Sequence, residues 1–447
     1  MTPPGVRPAL AAGWPDALKR GSVAFLAVAG LGQILALAVW ALGASGRSFA
    51  TFARIGWMYF AAFHHVALRF DVDPFRLGMP EAAPQTGSAS VSLGVTFLAA
   101  TGFALWLLYR GGRASADRVR GGTAMRLVQG AKLAPAYAAP GFALSLLIDA
   151  RVRVDTAVAA ADVRVSLDPW QTLAFPLVLA GLAGAAGGLR SALEARPSDL
   201  RAVGAAAAGG WRMFVLGLAL AYGGLFVAGV LQPDEPAALL TPSSARYYQE
   251  AFDRPWLGSL VLAHHVGLSP NEAVWALVPA MGACDGVRGT LRADLLCYGR
   301  FPSSLGLLGR GEFPLLDVGD LRSGPAPPAY LLFLLVPAVA TFAGGRRSVQ
   351  HAGVPRARAV TLGVLSGAIF SALVLAGGVL ASGTLGYQVE IGGEVHRGWL
   401  LIGPNLVTGP LLALGWGIVG GAVGALSTRP RATEPSPGSP PPGAGPR

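Results

Sequence analysis

Long apolar stretches dominate the pattern of this chain. Eight of them approach the roughly 20 residues that a helix needs to cross a bilayer. The sequence therefore predicts an all-α integral membrane protein with about eight transmembrane helices. The predicted spans lie at roughly 22–45, 91–109, 132–148, 171–189, 211–231, 328–344, 359–382 and 406–426.

The predicted spans form two groups of four with similar sequences at their ends. The run Leu107–Ser115 ends one stretch, and a similar run, Ala340–Ser348, ends another about 233 residues later. A Pro-Leu pair opens a Gly-rich span at Pro176 and again at Pro410. Such a long period indicates a domain duplication. Because each unit has an even number of spans, the two repeats are expected to be parallel rather than inverted.

The duplication divides the chain into repeats, connecting segments and an extracytoplasmic cap. Aromatic pieces at 56–60 and 255–260 predict interfacial helices, and a further apolar piece at 273–278 has no counterpart in the first half. Alternating residues predict small β-hairpins at 149–168 and at 383–405, the second turning at Gly392-Gly393. The predicted units are a cytoplasmic leader (1–21), a first four-span repeat (22–190), a cytoplasmic linker (191–210), a second four-span repeat (211–426) with an extracytoplasmic insertion (232–327), and a disordered Pro-rich cytoplasmic tail (427–447).

The net charge of +11 follows the positive-inside rule rather than indicating a nucleic-acid partner. With the N-terminus inside, the inside segments hold about 19 of the 35 Lys and Arg residues but only about 5 of the 24 acidic residues. The excess of Arg, Ala and Gly is typical of a GC-rich bacterial genome. The predicted location is therefore a bacterial cytoplasmic membrane, with both termini cytoplasmic and the lipid bilayer as a partner.

Two His-His pairs, His64-His65 and His264-His265, each follow the first predicted span of a half. Imidazole is the commonest metal-ligating side chain, so a zinc or copper site outside the membrane is one interpretation. Adjacent residues on a helix point about 100° apart, however, so such a pair does not chelate a metal from one helix face. The alternative is that each pair consists of ordinary interfacial histidines. No cofactor is predicted.

The two cysteines of the chain, Cys284 and Cys297, both fall in the longest predicted outside segment. Thiols confined to an oxidising compartment favour a disulfide. The alternative is a pair of buried apolar thiols.

Glycines at four-residue spacing punctuate the last predicted span of each half. Small residues at this spacing let two helix backbones approach closely, either within the fold or between two copies of the chain. Glycine is abundant, at 62 of 447 residues, so chance pairs are also expected. The predicted packing glycines are Gly184, Gly188, Gly417, Gly420, Gly421 and Gly424.

One family resemblance rests on two short runs. Gly13–Leu18, before the first span, and Val91–Leu98, after the first outside segment, resemble the streptophobe family of uncharacterised multi-pass membrane proteins of high-GC actinobacteria. The resemblance covers only part of the chain and implies a multi-pass fold, but it supplies no activity and no functional residues.

Three functions follow from this reading. The sequence contains no His-Glu-x-x-His, P-loop or Cys-x-x-Cys motif, so we expect a protein that is not an enzyme. The leading hypothesis is an envelope or scaffold protein that meets a membrane or envelope protein partner through its cap. The second is a permease-like transporter of a neutral or lipid-like substrate between the two repeats. The third is an extracytoplasmic metal- or redox-linked sensor.

Overall fold

A computed structural model of the chain describes most of the two predicted repeats. The predicted tail from residue 429 onward and much of the predicted insertion lie outside the described residues. The described residues are 13–43, 48–77, 85–119, 121–155, 159–194, 201–231, 255–290, 293–297, 332–352, 356–391 and 393–428.

Eleven helices are found in this part of the chain. Those of the first half are α1 (Trp14–Gly43), α2 (Phe49–Ala62), α3 (Leu98–Ala116), α4 (Thr123–Ala131), α5 (Leu133–Ser145) and α6 (Pro169–Glu194). Those of the second half are α7 (Arg201–Leu231), α8 (Pro255–Ala280), α9 (Leu335–Ala352), α10 (Arg356–Ala381) and α11 (Thr408–Leu426).

Six of the described helices, rather than the predicted eight, are long and apolar enough to cross a membrane: α1, α6, α7, α9, α10 and α11. They have the length and composition of a multi-pass membrane protein. The predicted span 91–109 corresponds to α3, whose 19 residues include Arg110 and Arg113. The predicted span 132–148 begins at a break, because Lys132 separates α4 from α5 and leaves two short helices.

The β-structure is larger than the sequence predicted, because four hairpins join into one antiparallel sheet of eight strands. The predicted hairpins at 149–168 and 383–405 are present as β3–β4 and β7–β8, whereas β1–β2 and β5–β6 were not predicted. The sheet order is β3-β4-β1-β2-β7-β8-β5-β6. The strands are β1 (Leu68–Leu77), β2 (Gln85–Gly94), β3 (Ala150–Asp155), β4 (Ala159–Leu167), β5 (Cys284–Gly289), β6 (Ala293–Cys297), β7 (Gly383–Ile391) and β8 (Glu394–Pro404).

The turn of the β7–β8 hairpin lies where the sequence placed it. Ile391 pairs with Glu394, and Gly393 between them has a φ of 86°, in the left-handed region that favours glycine. The other predicted turn residue, Gly392, lies outside the described residues.

Each half of the chain has its own helical core. In the first half, Phe25 of α1 packs edge-on against Phe60 of α2, which also contacts Tyr137 of α5. In the second half, Leu277 of α8 and Phe370 of α10 are fully buried in a separate apolar cluster. The sheet joins the two bundles, since β2 of the first half pairs with β7 of the second.

The short helices differ from the prediction in the second half. The aromatic piece at 56–60 lies within the 14-residue helix α2, as expected. The pieces at 255–260 and 273–278, predicted to be separate, belong to the single 26-residue helix α8, which continues through Pro270. Proline removes one backbone donor, but the neighbouring helices still bury this helix, and so it does not end there.

Candidate functional site

An apolar cleft lies where the helices of the first half meet the sheet, and we call it the cap cleft. Its volume is about 430 Å³. Its lining is apolar apart from the hydroxyl of Tyr59, and one lining residue, Leu268, comes from α8 of the second half. The cleft therefore lies within the first half, and the second half contributes one side chain to its wall. It is lined by Ile55, Met58, Tyr59, Ala62, Leu68, Phe70, Leu93, Val95, Phe97, Ala150, Val165 and Leu268.

His64 lies just beyond α2, behind the wall of the cap cleft, and is buried. Its Nδ1 is 2.6 Å from the Phe60 carbonyl oxygen, and its Nε2 is 2.6 Å from the Tyr137 hydroxyl. A carbonyl oxygen only accepts hydrogen bonds, so Nδ1 carries the proton and the neutral ring accepts from Tyr137 at Nε2. Burial lowers the pKa of His64 to about 4, although the bond to the Phe60 carbonyl acts in the opposite direction. The imidazole is therefore neutral at neutral pH.

His65 turns the chain from α2 into β1. Its φ of 63° is left-handed, and no other non-glycine residue in the described segments has a positive φ. Histidine is among the residues found more often than most in this conformation. The ring hydrogen-bonds through Nδ1 to the Thr96 hydroxyl. Partial burial lowers the pKa of His65.

Asn271 of α8 connects the second half to the segment that lines the cap cleft. Its side-chain amide donates to the Thr96 carbonyl, and its Oδ1 accepts from the Leu98 backbone N–H over 3.0 Å. The second bond satisfies a donor at the start of α3, where a helix has no internal partner. Thr96 lies between the cleft residues Val95 and Phe97, so this contact fixes one wall of the cleft.

The two His-His pairs each follow the first long helix of a half, but they lie in different secondary structure. His64-His65 follow α2 at the turn into β1, whereas His264-His265 lie inside α8, and their side chains lie outside the described residues. The turn from α8 into β5 contains Gly282, with a φ of 99°. Its backbone hydrogen bond runs from the Ala283 N–H to the Val278 carbonyl, as that of the first turn runs from the Val66 N–H to the Ala61 carbonyl.

The four-histidine metal site stays a prediction, because the side chains of His264 and His265 lie outside the described residues. Both ring nitrogens of His64 are engaged in hydrogen bonds. Among the described residues, no group of three His, Cys, Asp or Glu side chains could hold a metal ion.

The predicted cysteine pair bridges the edge hairpin of the sheet. Cys284 of β5 lies directly opposite Cys297 of β6 in the strand register. Cys284 is disulfide-bonded, and the chain contains only these two cysteines. The bridge therefore ties the last strand of the sheet to its neighbour.

The six predicted packing glycines all lie at contacts between helices of the same chain. A Cβ on Gly184 would lie 2.2 Å from the Gly130 carbonyl oxygen, and one on Gly421 would lie 2.4 Å from that of Gly363. Carbon atoms do not approach backbone oxygens this closely, so these positions need glycine. A Cβ added to any of the other four would also be too close to a neighbouring group. It would meet the Arg126 backbone at Gly188, the Gly367 backbone at Gly417, the Thr341 side chain at Gly420 and the Phe342 carbonyl at Gly424.

Two buried acidic residues were not predicted from the sequence. Glu272 of α8 is buried and hydrogen-bonds with Tyr222 of α7. Asp285 of β5 is fully buried, and its carboxylate oxygens have no hydrogen-bond partner among the described residues. Burial raises the pKa of Asp285 well above its ordinary value. Both acids lie in a long predicted loop, where acidic residues are usual, so no local signal marks them.

Comparison with known proteins finds no matching family model, no similar curated protein and no similar solved structure. The site is therefore interpreted from its own chemistry.

Proposed function

We propose that this chain is a non-enzymatic membrane protein that binds a lipid-like molecule in the cap cleft. The cleft supports this proposal by its size and its lining. Its volume of about 430 Å³ lies within the range of roughly 300–1,000 Å³ of small-molecule sites. A nearly uniform apolar lining favours hydrocarbon, since each buried methylene contributes about 0.8 kcal/mol, and disfavours a charged ligand.

The proposal includes a duplicated architecture with eight spans. The order of elements supports it: each half runs helix, helix, hairpin, helix, helical segment, hairpin, helix, although the second helix has 14 residues in the first half and 26 in the second. The registers of two hairpins agree. In each, the first residue of the first strand pairs with the third residue from the end of the second strand: Ala150 with Val165 in β3–β4, and Gly383 with Ile402 in β7–β8. In this scheme α4 and α5 together correspond to the continuous helix α10, which accounts for one of the two spans that fall short of the length criterion.

Helix contacts support the same scheme. In each half, one glycine of the last helix faces one glycine from each of two preceding helices. These trios are Gly184 with Gly112 and Gly130, and Gly421 with Gly345 and Gly363. The sheet order 3-4-1-2 of the first half also recurs as 7-8-5-6, as expected for parallel repeats.

The proposed location is a bacterial cytoplasmic membrane with both termini and the segment between Arg110 and Lys132 inside. The distribution of basic residues supports this orientation. Reporter fusions after Arg120 and at the C-terminus should give a cytoplasmic signal, and a fusion after Pro236 should give an outside signal. An outside signal after Arg120 would reverse the orientation. The resemblance to the streptophobe family stays a prediction.

Binding in the cap cleft can be tested with a diacylglycerol that carries a fluorophore on one acyl chain. The full-length protein, in a neutral detergent, should bind this probe saturably. Val165→Trp should weaken binding at least about tenfold, because an indole would occupy the cleft; such a loss corresponds to about 1.4 kcal/mol. Val215→Trp is the matched control, since Val215 is exposed on α7 and does not line the cleft.

The two variants are compared after each has shown the gel-filtration profile and melting temperature of the wild type. Equal affinity of Val165→Trp and the wild type would rule out the cap cleft as the binding site. Equal weakening by both variants would indicate a general effect of bulky residues in the membrane domain.

A second candidate function, docking of an envelope protein partner on the cap, is favoured by the outer end of β8. Val395 and Trp399 are exposed there, Trp399 by 60% of its surface. Exposed tryptophan is enriched at protein interfaces. A photo-crosslinking residue at position 399 should capture one defined partner in cells, whereas the same residue at Arg164 on the first-half portion of the sheet should not. Identical patterns at both positions would exclude this candidate.

A further inference from the structure

A second cavity lies at the end of α3 that is remote from the cap cleft. The cleft residue Phe97 precedes the first residue of α3, whereas Arg118 lies just beyond the last. Phe97 and Leu107, the nearest lining residue of the second cavity on α3, are ten residues apart, which is about 15 Å at 1.5 Å per residue. We call this space the basic cavity; it has a volume of about 500 Å³ between α1 and α3.

The charges that line the basic cavity are unbalanced. Four basic side chains, Lys19, Arg20, Arg110 and Arg118, face one acid, Asp16. The Asp16 carboxylate already pairs with two of them: Arg20 Nε lies 2.8 Å from Oδ2, and Arg118 contacts Oδ1. With full charges on each group, four positive and one negative, the cavity has a net charge of about +3.

The remaining two cations have no acidic partner among the residues that the structure describes. The Arg110 guanidinium lies 4.9 Å from the centre of the Trp106 ring, and this contact leaves its donors free. Lys19 projects from the exposed side of α1. Both are therefore available to an anionic ligand that enters the cavity.

The rest of the lining is apolar and includes a residue that faces outward. Val23 of α1 and Leu107 of α3 continue the cavity along the two helices away from the charges. Val23 is 57% exposed and belongs to a helix long and apolar enough to span a membrane. The site therefore offers cations at one end and a hydrocarbon surface at the other, which matches an anionic head group attached to an acyl chain.

We propose that the basic cavity binds the phosphate head group of an anionic phospholipid from the adjoining leaflet, with its acyl chain along Val23 and Leu107. Basic pockets between transmembrane helices attract such head groups at the level of the membrane surface. A free phosphate anion has the same charged chemistry as the head group, but it would gain no binding free energy from the apolar side of the cavity. This proposal does not depend on the function proposed for the cap cleft, but it rests on the proposed eight-span architecture, in which α3 crosses the membrane.

The test uses the full-length protein in a neutral detergent and native mass spectrometry to count bound molecules. Three probes are titrated: phosphatidylglycerol, phosphatidylcholine of the same chain length, and inorganic phosphate. The wild type should bind one phosphatidylglycerol tightly, phosphatidylcholine weakly, and inorganic phosphate only at much higher concentration. The double variant Lys19→Gln/Arg110→Gln should lose about 30-fold in affinity for phosphatidylglycerol, which is about 2 kcal/mol at 1.4 kcal/mol per tenfold change and about 1 kcal/mol per basic residue.

Two further variants separate a specific site from a general charge effect. Arg346→Gln/Arg347→Gln removes the same charge from exposed positions on α9 that do not line the cavity, and should bind like the wild type. Lys19→Arg/Arg110→Lys keeps both charges and should retain most of the affinity. The result sought is a loss confined to the first double variant and recovered in the charge-preserving one.

Three results would overturn the proposal. One is equal affinity of the wild type and Lys19→Gln/Arg110→Gln for phosphatidylglycerol. Another is an equal loss in Arg346→Gln/Arg347→Gln, which would indicate general surface attraction. The third is saturation by inorganic phosphate at concentrations similar to those of phosphatidylglycerol, which would assign the cavity to a soluble anion.

Discussion

The Tyr137 hydroxyl donates a hydrogen bond to Nε2 of His64 over 2.6 Å, in the core of the first helical bundle. His64 is 1% exposed and Tyr137 fully buried. The other ring nitrogen of His64 donates to the Phe60 carbonyl of α2. A single imidazole therefore connects α2 to α5 and satisfies a polar group on each, which is a structural role and leaves no nitrogen for a metal.

The bond between His64 and Tyr137 should be measurable as a coupling energy. Tyr137→Phe should destabilise the protein by about 1–3 kcal/mol, because it leaves the buried Nε2 without a donor. In the double variant with His64→Leu, the cost should be smaller than the sum of the two single costs, since neither partner is then left unsatisfied. Equilibrium unfolding in mixed micelles provides the measurement. Tyr109→Phe is the control, and additive costs would show that the two side chains do not interact.

His64 should also make stability depend on pH. Its pKa is about 4 in the folded protein against 6.5 for the free side chain, so the unfolded chain binds a proton between these values while the folded chain does not. Stability from this group is therefore fully present above pH 6.5 and falls as the pH decreases toward 4. The difference between these two pKa values corresponds to a loss of about 3 kcal/mol at most.

The pH effect is tested by comparing unfolding curves at pH 7 and pH 4. His64→Gln should lose less stability than the wild type over this range. His396→Gln should behave like the wild type, because the His396 side chain is 64% exposed. Parallel pH profiles for the wild type and His64→Gln would show that the buried imidazole does not titrate in this way.

Glycine packing predicts opposite outcomes at two sites of α11. A Cβ at Gly421 would meet the Gly363 backbone at 2.4 Å, whereas a Cβ at Gly415 would have nothing within 4 Å. Gly421→Ala should therefore destabilise the protein by about 1–3 kcal/mol through overpacking, and Gly415→Ala should be neutral or stabilising by up to about 1 kcal/mol. Both should leave the oligomeric state unchanged in gel filtration. A shift in oligomeric state for Gly421→Ala alone would indicate that this glycine packs between two chains.

Because Cys284 and Cys297 are bridged, the unreduced protein should contain no free thiol. Under denaturing conditions without reductant, neither Cys284 nor Cys297 should react with a thiol label, and both should react after reduction. Cys284→Ser should loosen the edge hairpin without preventing membrane insertion, since the loop closure contributes roughly 3 kcal/mol and is local. The variant with both cysteines replaced gives the labelling background. Two reactive thiols in the unreduced wild type would contradict the bridge.

The sequence predicted those parts of the fold that have a local pattern. The alternation of Arg151-Val152-Arg153-Val154-Asp155 marks β3, which the structure has at Ala150–Asp155. The strand β2 (Gln85–Gly94) is rich in Ser and Gly, and Thr86 and Val91 are its only β-branched residues, so it has little of the composition that marks a strand. Its pairing with β7 joins segments almost 300 residues apart, which no local pattern can indicate.

The candidate site was predicted less well than the fold, because no local sequence pattern identifies its polar residues. Asn271 and Glu272 follow Pro270, and such a sequence usually indicates a turn, yet both lie within α8. Asp285 is buried by strands whose pairing was not predicted. The repeated His-His sequence did not indicate that His64 and His65 lie in a turn while His264 and His265 lie within a helix.

The pairing of β2 with β7 restricts how the two bundles can move. Eight residue pairs, from Gly87 with Ile391 to Gly94 with Thr384, connect the halves through one continuous backbone ladder. A rocking motion that opened a vertical passage between the bundles would have to break this ladder and leave its amides unpaired. A change of sheet twist along the β2–β7 pairing keeps these hydrogen bonds and therefore needs less free energy. Such a change would vary the width of the cap cleft. The proposed lipid-like ligand would then enter and leave the cap cleft laterally, in the plane of the bilayer, while the β-sheet above the cleft stays intact.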